Sequence, residues 1–192
     1  TQGGTTLQLF DPQDRLISHV SYTDQWYRDP AKSNGGWSLE KIDPYNFCQG
    51  AENWKASVSP QGGTPGAINS VREDNPDTSR PDLLRVGYLN QHTIQAYFSE
   101  TVDEAFLRDP SLFVLDQGIG PALLSFPGLP QNNSVVLGFE NALQADVIYE
   151  LSVSEQLADC AGNLIDRTRA RVAIPVDALA FDAVINEVLF NP

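Results

Sequence analysis

Hydrophobic patterning divides the chain. Over residues 83–176 apolar side chains recur at every second position in short runs. Leu84, Val86 and Tyr88 form one alternating set, and Asn90–Gln91 marks a turn. In residues 93–98, Ile94, Ala96 and Phe98 oppose Thr93, Gln95 and Tyr97, the pattern of a half-buried strand in an antiparallel sheet. Further strands are predicted over residues 112–115, 122–126, 135–139, around Tyr149, Leu151 and Val153, and over 171–176, where Pro175 marks a sheet edge or strand end. About seven strands punctuated by Gly, Pro and Asn fit a β-sandwich with one dry interior. Only residues 101–108 read as a helical turn, and without long amphipathic helices a βαβ design is excluded.

The chain before residue 83 is patterned differently. Residues 7–10 and 16–22 read as a hairpin around the turn 11–14, with Leu16, Val20 and Tyr22 on one face and Ser18 interrupting it. Residues 23–71 have no regular period, yet they carry Trp26, Trp37 and Trp54, the large anchors that tack down long loops. Residues 72–82 contain no aliphatic or aromatic side chain, so the domain boundary falls there, as a tether or a spacer. At the other end, residues 182–192 are apolar enough for a strand. Left exposed, such a strand is an aggregation hazard, so it needs a sheet in this molecule or a neighbour.

Composition narrows the function classes. Burial of about 70% of the extended chain's surface allows one large core or two small ones. Acidic residues outnumber basic ones 25 to 12, giving a net charge of -13. Such a chain repels phosphate backbones, and nucleic-acid binding is not expected. No apolar run approaches the length of a membrane span. The start, Thr1–Gln2–Gly3–Gly4, and the absence of Met are compatible with an excerpt of a longer or processed polypeptide. The two cysteines lie far apart, without the CxxC clusters of a zinc module. They read equally as one disulfide outside the cytoplasm or as two separate buried thiols.

Four phrases carry a resemblance. Residues 9–22, Gly36-Trp37-Ser38-Leu39-Glu40-Lys41-Ile42, Asn53-Trp54-Lys55-Ala56-Ser57 and residues 62–70 resemble, in order and spacing, the second half of a bacterial lamin-tail domain. Members of that family have an immunoglobulin-like β-sandwich and occur as accessory modules of secreted or cell-surface proteins. The opening strand of the family is similar to Ile185-Asn186-Glu187-Val188-Leu189, near the end of this chain. Residues 96–103, 149–153 and 159–163 resemble the bacterial immunoglobulin-like modules found between surface domains. The resemblances imply an all-β chain of two immunoglobulin-like units. A partial lamin-tail-like domain spans 1–71, a linker 72–82 and a bacterial immunoglobulin-like domain 83–176. A linker and the first strand of a further lamin-tail-like domain span 177–192. The terminal strand would complete the first unit, in cis or by strand exchange with a neighbouring chain. A bacterial surface protein of Bacteroidetes type is implied, and with it an extracellular Cys48–Cys160 bridge between the domains.

Chemistry is scarce. His19 and His92 fall in different proposed domains and in no recognisable motif, and no nucleophile elbow, phosphate loop or dinucleotide fingerprint is present. Glu40, Glu100 and Asp103 offer carboxylates without a visible cleft, so no catalytic residue is assigned. Asp159 with Asn163, Glu100 with Asp103, and Glu73, Asp74 and Asp77 are hard-oxygen sets suited to a structural calcium, though none has EF-hand spacing. No other cofactor is expected, and zinc lacks suitable ligands. Asn132-Asn133-Ser134 reads as a loop. The expected function is therefore a non-catalytic spacer or presentation module, with other domains of the same polypeptide as partners. The alternative is recognition of a glycan or surface protein through Trp26, Trp37, Trp54, Tyr22, Tyr27 and Tyr45.

Overall fold

The computed structural model describes residues 4–48 and 50–177. The chain is all-β and immunoglobulin-like, with its strands gathered into two sheet-built units.

The larger unit is a sandwich. One antiparallel sheet has the order β5-β6-β10-β9, from Leu83–Asn90, Thr93–Phe98, Ser134–Gly138 and Leu124–Pro127. The other has the order β12-β11-β7-β8, from Arg169–Ala173, Ile148–Val153, Phe113–Leu115 and Gly120–Pro121. Ile94, Ala96 and Phe98 are buried while their neighbours are half-exposed, so the alternation read from the sequence is the pleat of a strand with one dry face. Val135 and Leu137, then Phe113 and Leu115, then Tyr149, Leu151 and Val153 supply the rest of the interior. Each such side chain contributes roughly 1.5–3 kcal/mol by leaving water. Tyr149 is fully buried because its hydroxyl accepts the amide of Gln144 at 2.7 Å. The helical turn is α2, Glu104–Leu107, capped by the Asp103 carboxylate; the earlier α1, Pro30–Ser33, is as short.

The strand expected over 122–126 is divided. The Ala122 amide donates to Phe113 O in one sheet and the Leu123 amide to Gly138 O in the other. The chain therefore changes sheets between these two residues, which a single apolar run cannot reveal.

The smaller unit has two two-stranded antiparallel sheets, β1-β2 (Thr5–Phe10 and Leu16–Tyr22) and β3-β4 (Leu39–Lys41 and Trp54–Ala56). The hairpin β1-β2 has a register shift at Leu9/Phe10, so that Leu9 opposes Ser18 while Phe10 opposes Leu16. Strands β3 and β4 are three residues each and lie inside the stretch without periodicity. Polar side chains organise what apolar ones cannot. Glu40 is 4% exposed, and its carboxylate accepts from Thr64 Oγ1, Ser70 Oγ and the Ser70 amide, each at 2.7 Å. The strand expected over 182–192, and its pairing with the first unit, lie outside the described residues.

Candidate functional site

The site is the junction between the two units. It begins with the side chains that fix the loop after β3. Asn53, fully buried, donates to Asp43 O at 2.8 Å and Asn46 O at 3.0 Å and accepts the Asp43 amide at 2.8 Å. Asn46 accepts the Cys48 amide at 3.1 Å, which sets the position of that cysteine.

Residues 72–82 are held along both units. On the first side the Glu73 amide donates to Ile42 O, the Asn75 amide to Asp43 Oδ2, and Asn46 Nδ2 to Asn75 O. On the second, Asn163 Nδ2 donates to Asp77 O at 3.2 Å, and Arg80 donates to Leu164 O and Ile165 O and pairs with Asp166. The Arg167 amide donates to Asp82. Between tether and spacer, the hydrogen bonds describe a docked spacer. They also explain why a run without apolar residues keeps a defined course: its backbone groups are satisfied by both neighbours.

A disulfide joins Cys48 to Cys160, with Cα atoms 5.7 Å apart and 112 positions between them in sequence. Cys160 sits in a turn built by Asp159, which is buried; its Oδ1 accepts the Ala161 and Asn163 amides and its Oδ2 accepts Asn163 Nδ2. One further hydrogen bond, Gln131 Nε2 to Ser21 Oγ at 3.1 Å, crosses between the units. Around these links lies an open cleft of about 880 Å³, lined on one side by residues including His19, Trp26 and Trp54, and on the other by Asp82, Glu100 and Gln131.

Beside the disulfide three carboxylates converge. Asp77, Glu100 and Asp159 each place an oxygen within 4.8 Å of the others, a cluster able to coordinate a cation. Glu100 responds to this crowding. Burial, followed by the charges of Asp77, Asp159 and Asp82, pushes its carboxyl up to about 7. Of the oxygen ligands read from the sequence, Glu100 and Asp159 are therefore together, with Asn163 bonded to Asp159. Asp103 is occupied elsewhere, accepting the Ala105 amide at 2.9 Å as the cap of α2. Asp77, read from the sequence with Glu73 and Asp74, joins Glu100 and Asp159 instead, a grouping that depends on how the linker docks.

The aromatic candidates sit in several local structures. Trp26 lies against Trp54 with centroids 6.4 Å apart and planes tilted by 43°. Trp37 carries the Lys32 ammonium 4.4 Å above its ring, and its carbonyl accepts the Tyr27 hydroxyl. Tyr22, Tyr27 and Trp54 share an apolar trough with Leu7, Val20 and Leu39. Tyr45 is 75% exposed, with the Arg72 guanidinium 5.9 Å from its ring. These contacts assign the rings to different local structures and form no common flat platform.

His92 lies near Phe139 O in the larger unit, and His19 lines the cleft. Among the described residues no hydrogen bond joins either imidazole to a hydroxyl, thiol or carboxylate. No described helix is long and apolar enough to cross a membrane.

Comparison with known proteins gives no matching family model and no matching curated protein. Among solved structures, the S-layer protein rSbsC(31-844) is similar over 52% of this chain and 14% of its own, at 18% identity and a TM-score of 0.45. The N-terminal part of the bacterial S-layer protein SbsC is similar over 52% of this chain and 25% of its own, again at 18% identity and 0.45. The similar region is at most a quarter of either of those two S-layer chains.

Proposed function

We propose that the chain is a non-catalytic structural segment of an extracellular, multidomain bacterial surface protein. It spaces and presents neighbouring modules by holding two domains, 1–71 and 83–176, at a set angle. The observation that carries this reading is the junction: the Cys48–Cys160 bridge lies beside a spacer that is hydrogen-bonded to both units. A disulfide of this kind supports an oxidising compartment. The lamin-tail-like and bacterial immunoglobulin-like character of the units, and a Bacteroidetes-type source, belong to this reading through the sequence phrases quoted above.

Small-angle X-ray scattering tests it. The oxidised chain is expected to fit one interdomain angle, and a Cys48→Ser/Cys160→Ser variant a broader ensemble of larger maximum dimension. A broad ensemble in the oxidised chain overturns the reading.

The carboxylate cluster fits calcium as its cation, since hard oxygens from Asp77, Glu100 and Asp159 converge. Calorimetric titration is expected to show calcium binding that Glu100→Gln weakens at least tenfold. No heat at millimolar calcium would remove the ion from the account while leaving the disulfide-braced joint in place.

A further inference from the structure

The two sheets of the sandwich turn unlike faces to solvent. On the outer face of β12-β11-β7-β8, Arg169 and Arg171 flank Glu150, as an ordinary charged surface does. The outer face of β5-β6-β10-β9 is built otherwise. Val135 and Leu137 are buried opposite Pro127 and Ser125, so Val136, Leu124 and Phe126 point outward with Thr93, Gln95 and Tyr97. Leu124 is 56% and Phe126 58% exposed, and Leu123 and Leu129 beside the ends of β9 are as open. The solvated face of an antiparallel sheet ordinarily carries polar side chains; an open apolar strip in that place marks a contact surface.

The same face is short of charge. No Asp or Glu occurs on any of its four strands, and residues 117–139, which include β9 and β10, contain no charged side chain. Its cation is Arg85. The guanidinium lies 3.7 Å over the Tyr97 ring, whose hydroxyl donates to Gln95 Oε1 at 2.8 Å. Arg and Tyr are the side chains that dominate binding hot spots, and here they are held in place before any partner arrives.

Charge and area select the occupant. With a net charge of -13, two copies meeting through most surfaces bring carboxylates together. This face brings none. A strongly charged partner finds little to pair with there, whereas a second copy supplies an uncovered Phe126 for Arg85 and an Arg85 for Phe126. A two-fold axis running along the strands lays β5 of one copy over β9 of the other. Arg85 is one register row from Phe126, a diagonal that long side chains span. At about 4.8 Å per strand and 3.4 Å per residue the face measures roughly 19 Å by 17 Å. With side-chain relief, two copies bury on the order of 1,000 Å², the lower limit of a specific contact.

We infer that two copies of the chain pack face to face through β5-β6-β10-β9 as a closed, isologous dimer. The pairing sets two spacers side by side.

Sedimentation velocity on the intact, oxidised chain tests this from micromolar to millimolar concentration, at physiological salt to screen the net charge. A reversible step from monomer to dimer is expected. Phe126→Glu and, independently, Leu124→Lys are each expected to weaken it at least tenfold. Both side chains already lie largely in water, so the near-ultraviolet circular dichroism of the sandwich is expected to stay unchanged. Val114→Glu, on the outer face of the other sheet, is expected to leave the dimer as strong as before. A chain that stays monomeric throughout overturns the proposal. So does a dimer that survives both variants, one that Val114→Glu weakens as much as they do, or growth beyond two copies.

Discussion

Glu40 and Glu100 show how surroundings alone set opposite behaviour in two chemically identical side chains. Burial alone would push the Glu40 carboxyl up, but donors from Thr64 and Ser70 outweigh it and bring it down to about 2. A depressed folded value means that Glu40 contributes stability above its unfolded range, near 4.5, which is lost as pH falls toward 2. Glu40→Ala leaves those donors facing an empty space. It is expected to destabilise the smaller unit by on the order of 3 kcal/mol, read by chemical denaturation at neutral pH. Glu100 has the opposite sign. Its folded value near 7 means that the folded state holds a proton which the unfolded chain releases above about 4.5, so stability falls as pH rises from that range through 7. Glu100→Gln is expected to raise the melting temperature at pH 8 and leave it nearly unchanged at pH 4, as differential scanning fluorimetry would measure. Gly62 makes a third case at this scale. Its φ is +84°, and a Cβ there would strike the carbonyl oxygen of Gly36. Gly62→Ala is expected to shift the denaturation midpoint of the smaller unit downward.

At the scale of elements the sandwich is carried by side chains with one buried face. Ile94 is fully buried at the centre of β6, between β5 and β10. Ile94→Ala is expected to cost about 2–5 kcal/mol in the larger unit, measured by urea unfolding followed through near-ultraviolet circular dichroism. These same residues made the larger unit legible in the sequence, because a strand with one dry face must alternate. The smaller unit was legible only in its hairpin. Strands β3 and β4 are too short to show a period, and what fixes them is a buried carboxylate and amides whose partners lie tens of residues away, such as Ser70 on Glu40 and Asn75 on Asn53. The crossing between Ala122 and Leu123 was hidden for a related reason, since apolar neighbours can face one core from two sheets. The joint itself was half legible. Glu100 and Asp159 stood out as acidic turn residues, whereas Asp77 joins them only once Asn163 and Arg80 have drawn the linker along the sandwich.

At the scale of the molecule, the linker and the disulfide divide the work of joining. The linker satisfies its own backbone against both units, which fixes its path. The disulfide ties the two units covalently beside the spacer, where the carboxylates of Asp77, Glu100 and Asp159 meet. Reduction should therefore loosen the joint while leaving each core folded. Trypsin is expected to cleave after Arg72 several-fold faster in the reduced chain, with the core strands of both units still protected, as mass spectrometry of the early fragments would reveal. The central claim is that the two units form one rigid body when the bridge is closed. Residual dipolar couplings from the oxidised chain in a dilute aligned medium test it most directly. A single alignment tensor fitting the amides of residues 5–56 and 83–173 together is the predicted result, and two tensors of clearly different magnitude would contradict it.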